Sequence, residues 1–271
     1  MPVFRIILWF LASAAALAAL SADAQQGIDV GKPSSWRQLV PAEGIERQAA
    51  QQYEQLKRQA AAKNALGTSQ NEQVRRLRGI AERIIPNTGR FNPRASEWHW
   101  EINLIRSSQI NAFCMPGGKI AFYSGILETL HLTDDEVAIV MGHEMAHALR
   151  EHAREQAAKS ELTRLGATFL GDVIGGGRYS GLFSAGGNLL TLRFSRDDES
   201  EADLVGLDLA ARSGYDPRAG VTLWQKMTAS QKGAPVPWLS THPSGPNRIN
   251  EIERHLPQVM PLYTEASRKA H

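Results

Sequence analysis

Two histidines stand four residues apart at His143 and His147, with Glu144 directly after the first. On an α-helix a step of four is little more than one turn, so both imidazoles leave from one face. That arrangement suits two ligands of one Zn²⁺. Glu144 sits where a carboxylate could take a proton from a water at the metal. A catalytic zinc needs a third protein ligand and one position left for water. Glu199 and Asp203 also stand four apart, within the run Glu199-Ser200-Glu201-Ala202-Asp203. Alone, such a cluster reads as a solvated helix face. Two histidines lacking a carboxylate make Glu199 a candidate ligand, with Asp203 receiving the free N–H of a ligating imidazole. Ala202 and Gly206 lie on or near the same face and allow a close approach to a neighbouring helix. Glu201 points the other way, toward another partner or solvent.

These residues need elements to hold them. Thr133-Asp134-Asp135-Glu136 is a capping box, and its carboxylates also suit a helix N-terminus. A helix from there to about residue 158 carries the His-Glu-His motif in its middle. On it His152 lies about 140° round from His147, off the ligand face. A second long helix is expected from Asn188 to about Ser213, with Gly214 as its stop. Earlier, apolar residues recur at helical spacing from Glu43 to about Leu66 and from Asn71 to Ile85. The alternating run through Trp98, Trp100, Ile102 and Leu104 reads as a strand. Residues 110–115 and Lys119–Tyr123 read as a hairpin about Pro116-Gly117-Gly118. Lys119–Tyr123 precedes the motif helix and is the expected edge for pairing with an extended polypeptide. Pro217 opens a helix to about Gln231. A Pro-rich loop at 234–246 carries Trp238 and His242, and a last helix spans Asn247 to about Leu256. Seven glycines in 171–187 indicate either a flap that covers a cleft or a linker.

With 30 basic and 28 acidic residues the net charge is +2, which gives no argument for nucleic acid. Residues 1–24 hold Arg5, an apolar run and Ala22-Asp23-Ala24. They read as a secretory signal peptide, with an uncleaved anchor as the alternative. A loose N-terminal lead (25–42), one domain (43–256) and a C-terminal tail (257–271) follow. No later apolar run is long enough to span a bilayer. The only cysteine, Cys114, lies between Phe113 and Met115 and reads as a buried small residue.

The set His143-Glu144-Met145-Ala146-His147, then Glu199 to Asp203, then Thr241-His242-Pro243 with Arg248, resembles the HtpX, Oma and BepA type of zinc metallopeptidase. These are gluzincins of metallopeptidase family forty-eight. The resemblance covers about residues 70–256 and is nearest the short periplasmic LoiP and YcaL group, without tetratricopeptide repeats. It implies an α+β, mainly α, zincin-like domain with a sheet of three or four strands beside the motif helix. It implies one Zn²⁺ per chain on His143, His147 and Glu199, with Glu144 as base. Asp203 supports a ligand or donates a proton. His242 is a possible fourth, gating ligand, and Arg248 a candidate for holding the oxyanion. The expected activity is endopeptidase cleavage of misfolded or misassembled envelope proteins in the periplasm, in the service of outer-membrane assembly. The alternatives are a chaperone-like binding protein with a latent zinc gated by His242, and a purely structural zinc domain.

Overall fold

The computed structural model describes residues 27–166, 188–230, 236–243 and 247–269. The expected signal peptide at 1–24 and the whole Gly-rich segment 171–187 lie outside them.

Helix α1, Ala42–Ala62, buries Ile45, Ala49 and Tyr53. Helix α2, Glu72–Ile84, starts at Asn71, whose side chain accepts the N–H groups of Gln73 and Val74, and buries Val74, Leu77, Ile80, Ala81 and Ile84. Three strands follow: β1 (Glu101–Ile105), β2 (Ala112–Met115) and β3 (Lys119–Tyr123). Their order is β1-β3-β2, with β1 parallel and β2 antiparallel to β3. The period-2 alternation divides the side chains between two cores. Ile105, Met115 and Ala121 pack with Ala49 and Tyr53 of α1. Ile102, Leu104, Cys114, Ile120 and Phe122 face the main core.

Because β3 is central, it offers no free edge, contrary to the expectation for Lys119–Tyr123. The free edge on the hairpin side belongs to β2. The hairpin still forms where expected. Strand order depends on how β1 returns to the sheet, which nothing local in the hairpin encodes.

A short helix α3, Ser124–Thr129, leads to α4, Asp134–Leu149. The capping box on Thr133 and Glu136 is present, and every residue from Glu136 to Leu149 is buried. A helix buried all round has to be the centre of the molecule. It ends earlier than expected: Glu151 takes a left-handed φ of 59°, and α5, His152–Gly166, starts on a new axis. A tertiary tie from Arg37 and a local one from Arg154, both to Glu151, hold that unfavourable conformation.

The next long helix, α6, is Arg196–Arg212, not a helix from Asn188. Ser195 caps it, its side chain taking the Asp198 N–H while Asp198 accepts the Ser195 N–H. Residues 188–195 contain only a 3₁₀ turn at Leu189–Thr191. Helix α7 spans Ala219–Ser230, and a short helix α8, Pro237–Thr241, replaces part of the expected loop. Helix α9 runs Arg248–Lys269, past the expected end near Leu256. It continues through Pro257 and Pro261 because Val259 and Leu262 are buried beyond them. Their packing outweighs the missing backbone donors.

The N-terminal lead is not loose. The Ile28 N–H donates to Asp208 Oδ2, Arg150 donates to the carbonyl of Gly31, and Ile28 and Val40 are buried. Among the described residues no helix is long and apolar enough to cross a membrane.

Candidate metal centre

Helices α4 and α6 cross in backbone contact. A Cβ on Gly206 would stand 2.7 Å from the His143 nitrogen, and one on Gly142 2.8 Å from the Gly206 carbonyl oxygen. The expectation for Gly206 holds, and Gly142 is its counterpart across the crossing. This approach sets the faces of the two helices against each other, His143 and His147 toward Glu199 and Asp203.

The result is a cluster of four donor groups. His143, His147, Glu199 and His242 each bring one ligand atom, all within 4.8 Å of one another. His143 Nε2 is 3.1 Å from His147 Nε2 and 3.3 Å from His242 Nδ1. Glu199 oxygens lie 3.0 Å from His242 Nδ1, 3.4 Å from His147 Nε2 and 3.5 Å from His143 Nε2. A tetrahedron with metal–ligand bonds of about 2.0–2.1 Å has edges of about 3.3 Å. With Glu199 Oε1 as its ligand atom, four edges of the cluster lie near that figure, and nitrogen and carboxylate donors are the set zinc prefers.

Charge supports the same fit. Glu144, Glu199 and Asp203 are buried carboxylates, and Arg248 is the buried cation among them. Such a surplus of negative charge needs a cation or protons. It leaves its mark on His143: burial opposes charging the ring, but the Asp203 and Glu199 carboxylates outweigh burial and push its pKa up to about 9. Burial raises Glu144, whereas for Glu199 the three histidines outweigh burial and hold the carboxyl far below the ordinary range.

The groups behind the ligands are also placed. Asp203 Oδ1 faces His143 Nδ1 at 3.0 Å. Arg248 does not face an open position. Its Nε donates to Asp203 Oδ2 at 2.6 Å, its Nη1 to Glu199 Oε2 at 2.8 Å, and its guanidinium lies 3.6 Å over the Trp224 ring. Glu144 Oε1 accepts the Trp238 indole N–H at 2.6 Å. Trp238 is stacked on His242, the two being joined by a helical bond on α8. Phe194 stacks on His147 at 3.9 Å. Cys114 stands outside the ligand cluster, and burial pushes its thiol well up.

Trp238, Phe194 and His152 are the contributors that sequence reasoning passed over. The i, i+4 spacing of Trp238 and His242 after a helix-opening Pro237 was a usable signal for the first. His152 was placed off the ligand face of one continuous helix. The break at Glu151 instead brings its Nδ1 to 2.9 Å from His147 Nδ1, still outside the ligand set.

The edge of β2 borders this cluster. Tyr123 N–H donates to the Asn111 carbonyl, and the resulting alternation leaves the peptide groups of Ala112 and Cys114 facing away from β3. Residues 111–116, Glu144, His147, Leu190, Phe194 and His242 line a cavity of about 40 Å³. That is room for water, not for a polypeptide.

The pattern of peptidase family M48 matches residues 71–256, a span that contains the whole cluster. The chain belongs to peptidase family M48. Relatives include the mitochondrial metalloendopeptidase OMA1 of Schizosaccharomyces pombe, 37% identical over 66% of this chain and 52% of that protein. The metalloprotease LoiP of Escherichia coli is 28% identical over 70% of this chain and 73% of its own length. The beta-barrel assembly-enhancing protease of the same bacterium is 29% identical over 60% of this chain and 36% of its own. The match to the OMA1 relative thus spans about half of that M48 protein's length.

Proposed function

We propose that the chain is a zinc-dependent endopeptidase that cuts misfolded or misassembled polypeptides in the cell envelope. The observation that carries this reading is the near-tetrahedral set of His143, His147, Glu199 and His242 with the Glu144 carboxylate beside it. His143, His147 and Glu199 would hold one Zn²⁺. When bound, the ion lowers the pKa of water and polarises the scissile carbonyl.

The chain's own residues do the rest. Glu144 takes a proton from the attacking water and passes it to the leaving amide nitrogen, so that peptide and water become acid and amine. Trp238 holds that carboxylate in place. Asp203 fixes His143 through Nδ1, and Arg248 holds Asp203 and Glu199 in turn, a positioning task in place of the expected hold on the oxyanion. The free peptide groups of Ala112 and Cys114 on β2 pair with an extended substrate. That mode reads backbone rather than sequence and suits unfolded chains. The signal-peptide pattern read in residues 1–24 and the likeness to LoiP and the beta-barrel assembly-enhancing protease support a periplasmic setting close to outer-membrane assembly.

His242 favours a second reading. Its Nδ1 stands at the fourth corner, and the cavity there is too small for a peptide. In this reading the protein binds unfolded chains and its zinc is latent. His242→Ala separates the two. The gated enzyme predicts that the zinc-loaded variant cuts an unfolded polypeptide at least about tenfold faster than wild type, because an open fourth position is what a catalytic site requires. If wild type and variant both bind the polypeptide and neither cuts it, the latent binding protein is the better account.

A further inference from the structure

The ligand His143 is backed by a carboxylate, as metal-bound histidines generally are. The ligand His147 is not: the group facing its Nδ1 is another histidine. His147 Nε2 points into the ligand cluster, so a neutral ring there carries its proton on Nδ1 and needs an acceptor. His152 Nδ1 lies 2.9 Å away. For His152 to accept at Nδ1, its own proton must sit on Nε2, and Glu201 Oε2 is 2.8 Å from that atom. The other Glu201 oxygen pairs with Arg150, and Arg150 also donates to the Gly31 carbonyl of the N-terminal segment. The His152 side chain is 1% exposed, so both bonds are shielded from bulk solvent on the histidine side.

We propose that His152 and Glu201 are positioning residues that set the tautomer and ring angle of His147. The left-handed turn at Glu151 exists to bring His152 round to that place. Without the turn, one continuous helix would carry His152 away from the ligand face. Glu201, turned away from Glu199 on α6, is the carboxylate that His147 lacks, acting one imidazole removed. The inference rests on the metal reading of His143, His147 and Glu199.

The test compares zinc affinity, measured by competition with a chromophoric chelator, in His152→Leu and His152→Asn. Asparagine places its Oδ1 near the position of the histidine Nδ1 and keeps the acceptor, whereas leucine fills space without one. His152→Leu should weaken zinc binding about 10- to 100-fold and shift the visible absorption bands of the Co²⁺-loaded protein. His152→Asn should stay within about threefold of wild type, with the wild-type Co²⁺ bands. Equal affinities for His152→Leu and wild type overturn the proposal. Equal weakening in both variants also overturns it, since that is what a filler of space would show. If His152→Leu does not fold, Glu201→Leu, which removes the acceptor for the His152 Nε2–H, carries the test one bond further out. Its zinc affinity should fall at least about threefold, and an unchanged affinity contradicts the proposal. A wild-type protein that takes up no zinc, and matches Glu199→Ala in this, defeats the metal reading itself.

Discussion

Glu144→Gln lowers the hydrolysis of an unfolded polypeptide by about 10²- to 10⁴-fold, the usual contribution of a positioned general base, and leaves zinc binding close to wild type. The separation follows from geometry. Glu144 is outside the ligand cluster, and its Oε1 accepts the Trp238 indole N–H. A glutamine keeps that acceptor and the shape of the side chain but cannot take a proton. The pH profile adds a second check. The base works only when ionised, and burial raises the Glu144 pKa. Wild-type activity should therefore show an acid limb as Glu144 takes up a proton, and bound Zn²⁺ draws that limb down from where burial alone would put it. The residual activity of Glu144→Gln should lack that limb. Full activity in the variant would remove Glu144 from the mechanism. Loss of zinc together with activity would mean that the residue supports the metal site instead.

Gly206→Ala should damage fold and site together. Alanine is the better helix former by about 1 kcal/mol, so propensity alone predicts a more stable protein. The crossing predicts the reverse. The added Cβ would stand 2.7 Å from the His143 nitrogen and 3.0 Å from the carbonyl carbon of Gly142. Those are backbone atoms of a helix buried on all sides, which cannot turn aside as a side chain could. The helices must separate, and Glu199 and Asp203 move with α6. We expect a net destabilisation of about 1–3 kcal/mol, as for other overpacked cores, measured by denaturant unfolding of the metal-free protein. Zinc affinity should fall at least about tenfold with it. A Gly206→Ala protein that is more stable and binds zinc normally would show that the helices do not need this contact.

What the sequence made legible was local. The capping box at Thr133, the ligand pair on one helical face, the hairpin about Gly117-Gly118 and the pairing of Glu199 with Asp203 all follow from spacings of a few residues. Each appears in the fold. What escaped depended on contacts between distant residues. Trp238 reaches Glu144 across 94 positions, and Gly142 meets Gly206 only because two helices cross. His152 changes face at Glu151, where no glycine, proline or asparagine marks a break. A tie from Arg37, 114 residues away, and a local one from Arg154 hold that backbone. The edge strand was misplaced for the same reason. A hairpin identifies two neighbours but not which of them takes the third strand. The start of α6 at Ser195 was different: its Ser-x-x-Asp cap is local and could have been read.

The most direct test of the whole account is X-ray absorption at the zinc edge of the loaded protein. It should find one zinc per chain with a first shell of nitrogen and oxygen at about 2.0–2.1 Å, carrying the outer-shell signature of two or three imidazoles. A sulfur at about 2.3 Å, which here could come only from cysteine or methionine, or a shell of oxygens without imidazole, would contradict it.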